Sequence, residues 1–317
     1  MTRAPIRIIP QGEIAGAGGL KEPPAFRLPN PSTIFADRAL RFDVLAEAGK
    51  GEPAFLHLMA QLAKAQQAAL DKHPVPAAPD SRHLERCRQH GLPPLGIDTP
   101  LTASWRDALQ SIIASVRTDA PPTVQHVLAA LEKTDAAILD THASRLLRLD
   151  YPALDAAVIP FLGAALQVHW VAQAAALSAS GEGAIRKLDV PTVCPVCGSP
   201  PIASMLRTDV PVPGTRYLHC VLCATEWHMS RGFCSQCEEQ EKLVYYHMDS
   251  IGAQKDEAVK GEACKACNGY IKSLNQEKDA LLDPVADDLA TLSLDILLDE
   301  SGYQRASPNF FFVPGQG

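Results

Sequence analysis

The sequence predicts a multi-domain α+β protein: an N-terminal all-α helical bundle, then two small four-cysteine β modules and a C-terminal helix. Three observations predict it. Apolar residues recur at helical spacing from about residue 33 to 180. Eight of the nine cysteines then fall between residues 194 and 267 as four Cys-x-x-Cys pairs, among prolines, glycines and short β-prone pieces. Helical spacing returns only after Pro284. The 317 residues, at roughly 150 per domain, suffice for about two domains that each bury a core.

Residues 1–32 predict an extended arm, because Pro5, Pro10, Pro23, Pro24, Pro29 and Pro31 lack a backbone donor and fix φ. An α-helical domain is expected over 33–185. Ser32 can cap a first helix carrying Ile34, Leu40 and Leu45 that stops near Gly49. Phe55, Leu58, Met59, Leu62 and Leu70 mark a second, ended by Pro74, and a Pro-rich connection runs on to Pro79. Trp105, Leu109, Ile112, Ile113 and Val116 make a third stripe, and Val124, Val127, Leu128 and Leu131 a fourth. Thr134 can cap a fifth, carrying Ile138, Leu139, Leu146 and Leu147. Ala156 to Ser180 has no charged residue across 25 positions, long enough to cross a bilayer. Its many alanines, with Pro160, Gln167, His169 and Gln173 and no flanking Lys/Arg cluster, predict a helix buried on all sides of the bundle instead. No membrane insertion is expected.

After Gly181, the pieces Arg216 to His219, Thr225 to His228 and Leu243 to Met248 predict small hairpins. The first metal module is expected over 186–230 and the second over 231–275. Val285, Leu289, Leu292, Leu294, Ile296 and Leu297 follow Asp283-Pro284 at helical spacing, so 276–317 reads as a C-terminal helix and a loose acidic tail.

Composition narrows the function. At 46% hydrophobic and 21% charged, the chain matches ordinary soluble globular proteins. A net charge of −7 argues against nucleic acid as a partner, since such binders carry a basic domain or stripe. Residues 1–185 hold 17 Lys+Arg against 18 Asp+Glu, and 186–275 hold 10 against 10. Only 276–317, with 2 against 8, is one-sided. Between Met1 and Gly16, Pro5, Pro10 and Gln11 interrupt any apolar leader core. A cytoplasmic, thiol-keeping compartment is therefore expected, where Cys-x-x-Cys reads as metal coordination.

The pairs are Cys194/Cys197, Cys220/Cys223, Cys234/Cys237 and Cys264/Cys267, separated by 22, 10 and 26 residues. Each pair sets two thiolates on one side of a tight knuckle, and two facing knuckles make the tetrahedral sulfur cage that zinc or a single iron prefers. Joining neighbours, first with second and third with fourth, closes loops near ribbon spacing; the other pairings need longer loops or a cramped one. All eight cysteines are candidate ligands for two metal ions, iron or zinc, in rubredoxin-like or zinc-ribbon modules. Gly198 can relieve the first turn. A disulfide oxidoreductase would need one exposed, reactive pair at a helix N-terminus, which the hairpin context does not offer.

The remaining candidates read more plainly. His219 and His228 flank knuckles, but eight cysteines already fill two sites, so the histidines are supporting or surface groups. Trp227 is expected to pack over the first metal site. Glu226 and His228 lack a nucleophile or a third orienting group, so no catalytic residue is assigned. Cys87 reads as incidental, and Asp287 with Asp288 as a solvated helix face.

The run Cys194-Pro195-Val196-Cys197-Gly198-Ser199, then Gly214, Arg216-Tyr217-Leu218-His219-Cys220, Leu222-Cys223, Thr225-Glu226-Trp227-His228, Arg231, Cys234, Cys237, Cys264 and Cys267, closely resembles the formate dehydrogenase accessory protein family, FdhE. Ile6 to Gln11, Leu62 to Pro74, Gln276 to Asp279 and Val285 to Ala290 extend the resemblance over essentially the whole chain. It implies a cytoplasmic assembly factor rather than an enzyme, required for active respiratory formate dehydrogenase. The partner it implies is the molybdenum-containing, often selenocysteine-containing, catalytic subunit, bound before export. It also implies an α-helical N-terminal portion and two rubredoxin-like sites with which iron is associated. On that footing Arg216, Tyr217, His219, Glu226, Trp227, His228 and Arg231 are candidates for the client-docking surface or for groups that support the metal ligands, a composition typical of interaction hot spots. The alternative is a rubredoxin-like electron-transfer or redox-gating protein acting on the same client.

Overall fold

The computed structural model describes residues 22–72, 76–77, 79–99, 101–180, 183–248 and 258–313. The first part of the expected arm, Ile6 to Gln11, Pro74 and residues 314–317 lie outside them. Among the described residues, seven α-helices precede the cysteine region: α1 (Ile34–Glu47), α2 (Pro53–Lys72), α3 (Ser81–His90), α4 (Ser104–Arg117), α5 (Pro122–Lys133), α6 (Ala136–Leu147) and α7 (Ile159–Ala176). Helix α7 is apolar all round, starts with Pro160 in its first turn where the missing donor costs nothing, and is buried along nearly its whole length. It is the central helix that its composition predicts. No helix among the described residues is long and apolar enough to cross a membrane.

Three local expectations need correction. Helix α1 buries Phe35, Ala39, Phe42, Leu45 and Ala46 together with Arg38 and Arg41, while Leu40 is 62% exposed. The two arginines turn the helix away from the aliphatic stripe, because carboxylates of the C-terminal segment hold them in the interior. Neither Ser32 nor Thr134 caps a helix: α1 follows Thr33 and α6 follows Asp135, both without a side-chain cap bond, and Thr134 Oγ1 instead donates to Ala130 O. Helix α3 occupies Arg82 to His90, a polar stretch between Pro79 and Trp105 to which the apolar spacing assigns no helix. Asp80 accepts from His83 N at its start, and Gly91 ends it at φ +62°.

The strands β1 (Phe26–Arg27), β2 (Pro201–Arg207), β3 (Thr215–Cys220), β4 (Glu226–His228), β5 (Leu243–Tyr246), β6 (Val259–Cys264), β7 (Gly269–Asn275) and β8 (Gln304–Arg305) share one sheet. Its order is β1-β4-β3-β2-β7-β6-β5, with β8 beside β7. The hairpins of the two cysteine modules are thus fused. Their seam is the parallel pair β2 and β7, running from Ala203 opposite Lys272 to Leu206 opposite Asn275. A parallel pair needs a long crossover, so local sequence does not announce it.

The closing segment also differs from expectation. Two short helices, α8 (Ala286–Ala290) and α9 (Leu292–Glu300), meet at Thr291, whose φ of −119° leaves the helical range and whose Oγ1 lies within bonding distance of the carbonyls of Asp287 and Asp288. Up to residue 313 the tail is not loose. Strand β8 joins the sheet, and Phe310 and Phe311 are buried, Phe310 lying against Gly163 of α7. One continuous apolar core runs through bundle, sheet and closing segment.

Candidate metal centres

The four knuckles share one backbone device. After the second cysteine of each comes a residue in the left-handed region: Gly198 at φ +80°, Ala224 at +56°, Glu238 at +61° and Asn268 at +55°. Alanine and glutamate adopt this conformation at a cost of about 1 kcal/mol each, so the surrounding contacts must impose it. Each knuckle also aims a backbone N–H at the sulfur of its first cysteine. Val196, Leu222, Gln236 and Ala266 donate to Cys194, Cys220, Cys234 and Cys264, each at 3.4 Å. Donors fixed on sulfur favour thiolate over thiol.

The knuckles come together in chain order. Cys194, Cys197, Cys220 and Cys223 form one cluster and Cys234, Cys237, Cys264 and Cys267 the other, with all four sulfurs in each within 4.8 Å of one another. In the first, Cys194 lies 3.5 Å from Cys223 and Cys197 3.4 Å from Cys220. In the second, Cys234 lies 3.8 Å from Cys267 and Cys237 3.7 Å from Cys264. These separations are far beyond a disulfide. A tetrahedral ion with thiolates at about 2.3 Å would space them roughly 3.8 Å apart, so the donor sets fit zinc or iron in size and chemistry. Burial and the neighbouring sulfurs push the Cys194 and Cys220 thiols up, while hydrogen bonds from the other cysteines, against burial, hold Cys197 well below the usual thiol range.

The two cages differ in surroundings. All four cysteines of the first are buried, whereas Cys237 and Cys267 of the second are exposed. The helical bundle covers the first cage through two bonds that sequence reading missed. Leu95 N donates to Val196 O at 2.8 Å, and Gln167 Nε2 of α7 donates to Val221 O at 2.8 Å, so each knuckle of this cage is tied down at its tip. Gln66 Nε2 holds Gln167 in turn, at 3.0 Å from its Oε1. A glutamine in the middle of an uncharged, buried helix was the one visible signal.

Of the seven residues expected at a docking surface or in support of the metal sites, Arg231 is exposed and His228 half-buried, while the other five are interior. Arg216, Tyr217, His219, Glu226 and Trp227 are all less than 5% exposed. Arg216 bonds Ser204 and Glu262 and the carbonyls of Ser230 and Phe233, stitching the first module to the second. Tyr217 donates to Pro24 O, and Trp227 Nε1 donates to Pro191 O, securing the approach to the first knuckle. His228 stacks edge-on to Tyr217, and Arg231 reaches the carbonyl of Gly214. Aromatic and arginine content there serves packing. Neither histidine joins a cysteine cluster. Glu226 receives Arg207 on both oxygens and lies 3.2 Å from His219 Nδ1. Although burial opposes it, Arg207 and His219 hold this carboxyl at about 2.

Asp287 and Asp288, read as a solvated face, are also interior. Asp287 pairs with Arg41 at 2.6 Å, and Asp288 pairs with Arg305 at 2.6 Å and Lys272 at 3.3 Å and accepts from Asn309 at 2.9 Å. Cys87 is buried in α3, 3.5 Å from His83 Nε2 and apart from both clusters.

The comparisons with known proteins agree with this architecture. Family models described as FdhE, N-terminal, FdhE, central domain, and FdhE, C-terminal domain match residues 23–185, 193–231 and 233–312 in turn. The chain belongs to the FdhE family. A Protein FdhE homolog from Pseudomonas aeruginosa is 39% identical over 312 residues, covering 97% of this chain and 98% of the relative. An FdhE homolog from Edwardsiella ictaluri is 41% identical over 319 residues, covering 98% and 99%. The crystal structure of the FdhE protein from Pseudomonas aeruginosa superposes with a TM-score of 0.82 at 38% identity, over 92% of this chain and all of that one. The FdhE central match spans the first cage, and the FdhE C-terminal match spans the second cage with the closing helices.

Proposed function

We propose that this protein is a non-enzymatic assembly factor that works in the cytoplasm. It binds the molybdenum-containing catalytic subunit of a respiratory formate dehydrogenase during maturation. Cys194, Cys197, Cys220 and Cys223 hold one metal ion, iron or zinc, and Cys234, Cys237, Cys264 and Cys267 a second. Such an ion supplies charge compensation for four thiolates and, if it is iron, a one-electron couple. The observation that carries the reading is the pair of four-cysteine clusters fused by β2 and β7 into one sheet and roofed by the bundle, in a chain matched by FdhE models along nearly its whole length. That construction suits a rigid platform for another protein.

A second reading draws on one specific observation. Cys237 and Cys267 are exposed, so iron in that cage would stand close enough to a docked protein to exchange an electron or to gate binding by its oxidation state. One preparation tests both readings: protein purified anaerobically from its own cell, analysed for metal and for co-purifying catalytic subunit. Capture of that subunit with two metal equivalents supports the assembly role, and its absence refutes it. Zinc without a visible band removes the redox reading. Iron whose thiolate charge-transfer band bleaches with dithionite supports it.

A further inference from the structure

With five of the seven expected docking residues buried, the exposed apolar side chains show where a partner can sit. Leu40 (62% exposed), Val44 (37%) and Leu281 (64%) gather around a cleft of about 310 Å³ between α1, the sheet and the connection at 276–284. The volume lies at the lower end of the range for specific pockets, and the wall is aliphatic. The cleft draws on all three parts of the chain. Helix α1 supplies Ile34, Asp37 and Leu40, the first module supplies Arg207 and His219 as floor, and the closing segment supplies Leu281 and Leu282.

The charges around it are unequal. Arg41 is neutralised by Asp279 and Asp287, Arg38 by Asp283, and Arg207 by Glu226. Arg27 also lies 3.6 Å from Glu226 and pairs with Asp209. Four guanidinium groups thus meet five carboxylates, and Asp37, at the exposed start of α1, adds a sixth that pairs with no cation among the described residues. His219 is 2% exposed, and its Nε2 has no hydrogen-bond partner among the described residues. With Glu226 holding the Nδ1–H, the open nitrogen is an acceptor. Both of these groups, the Asp37 carboxylate and His219 Nε2, await a donor or a positive charge.

We infer that this cleft binds a segment of the client protein in which an aliphatic side chain adjoins a lysine or arginine, the aliphatic group packing between Leu40 and Leu281 and the cation facing Asp37. The inference rests on the assembly-factor reading and adds the place and the chemistry of docking. A negative cleft on a chain of net charge −7 also steers a basic segment toward it.

The test is affinity of the full-length, metal-loaded protein for the formate dehydrogenase catalytic subunit, measured for Leu40→Glu, Leu281→Glu, Asp37→Lys, Asp37→Glu and Ile296→Glu. The last replaces an aliphatic on α9 that is 60% exposed and outside the cleft. All these positions are exposed, so metal content and melting temperature should stay at wild-type values. The first three variants should each weaken binding at least tenfold, while Asp37→Glu and Ile296→Glu bind as wild type does. Wild-type affinity in Leu40→Glu and Leu281→Glu would overturn the site, and equal affinity of Asp37→Lys and Asp37→Glu would overturn the cationic partner. A photo-crosslinker at position 281 gives a readout that does not depend on the variants' folding: an adduct with the subunit supports the site, and none refutes it. Failure of the wild-type protein itself to bind would remove the assembly-factor reading, and the inference with it.

Discussion

At the scale of single residues, Asp288 governs the closing segment. It is fully buried, and two cations point at it, with Lys272 fully buried as well. Breaking such a pair from one side leaves an uncompensated interior charge, which costs about 3–5 kcal/mol. Asp288→Asn keeps the shape and should lower the urea midpoint accordingly, whereas Asp299→Asn, on the exposed side of α9, should stay within about 0.5 kcal/mol. Its neighbour Asp287 behaves differently. Burial raises its carboxyl to about 6 in spite of Arg41. The folded value lies above the unfolded one of about 3.9, so the stability it contributes is full below pH 4 and is lost as pH rises through 6. The difference amounts to about 3 kcal/mol, discounted by whatever water reaches the pair. Melting profiles of wild type and Asp287→Asn from pH 4 to 7 check this. The gap should move in favour of the variant as pH rises, and movement the other way would mean that Arg41 outweighs burial.

Among the elements, burial pattern was legible wherever helices are apolar on one face or all round, and illegible wherever charge is buried. Helix α7, with no charge in 18 residues but with Gln167, His169 and Gln173 among its alanines, reads as an interior helix rather than a membrane span. Helix α1 went out of phase because Arg38 and Arg41, which the apolar spacing passes over, face carboxylates about 240 residues later in the chain. The knuckles were legible as Cys-x-x-Cys and their pairing followed from loop lengths, yet Ala224 and Glu238 carry no sign of the left-handed conformation that Gly198 and Asn268 suggest. The seam between β2 and β7 was hidden because parallel pairing leaves no turn signal. Helix α7 meets the tail so closely that one methyl group matters. A Cβ on Gly163 would stand 2.6 Å from Phe310 Cβ, which is anchored to the backbone and cannot swing aside. Gly163→Ala should therefore cost about 1–3 kcal/mol and lift the segment after Tyr303, seen as faster hydrogen exchange around Phe310 and Phe311 with the cages undisturbed.

Across the whole molecule, the two cages sit at opposite levels of constraint. The first is enclosed, and its knuckle tips are bonded to Leu95 and to Gln167 of the central helix, so its geometry and the packing of the bundle on the sheet are one structure. The second stands toward the β5 edge of the sheet with two cysteines in solvent, held to the rest by β7 and by Arg216. Folding and metal ligation are coupled wherever a cage exists only in the folded chain. Loss of a ligand should therefore have unequal results. Cys220→Ser removes the first ion from beneath the bundle and should leave little soluble protein. Cys237→Ser removes a ligand already in water, and should give soluble protein with about one metal equivalent fewer and a lowered but cooperative melting transition, since the parallel seam still joins the modules. Yield, metal content and calorimetry on the two variants decide the matter. Equal damage from both would show that the sheet transmits constraint evenly from one cage to the other, and that enclosure by the bundle is not what sets the first apart.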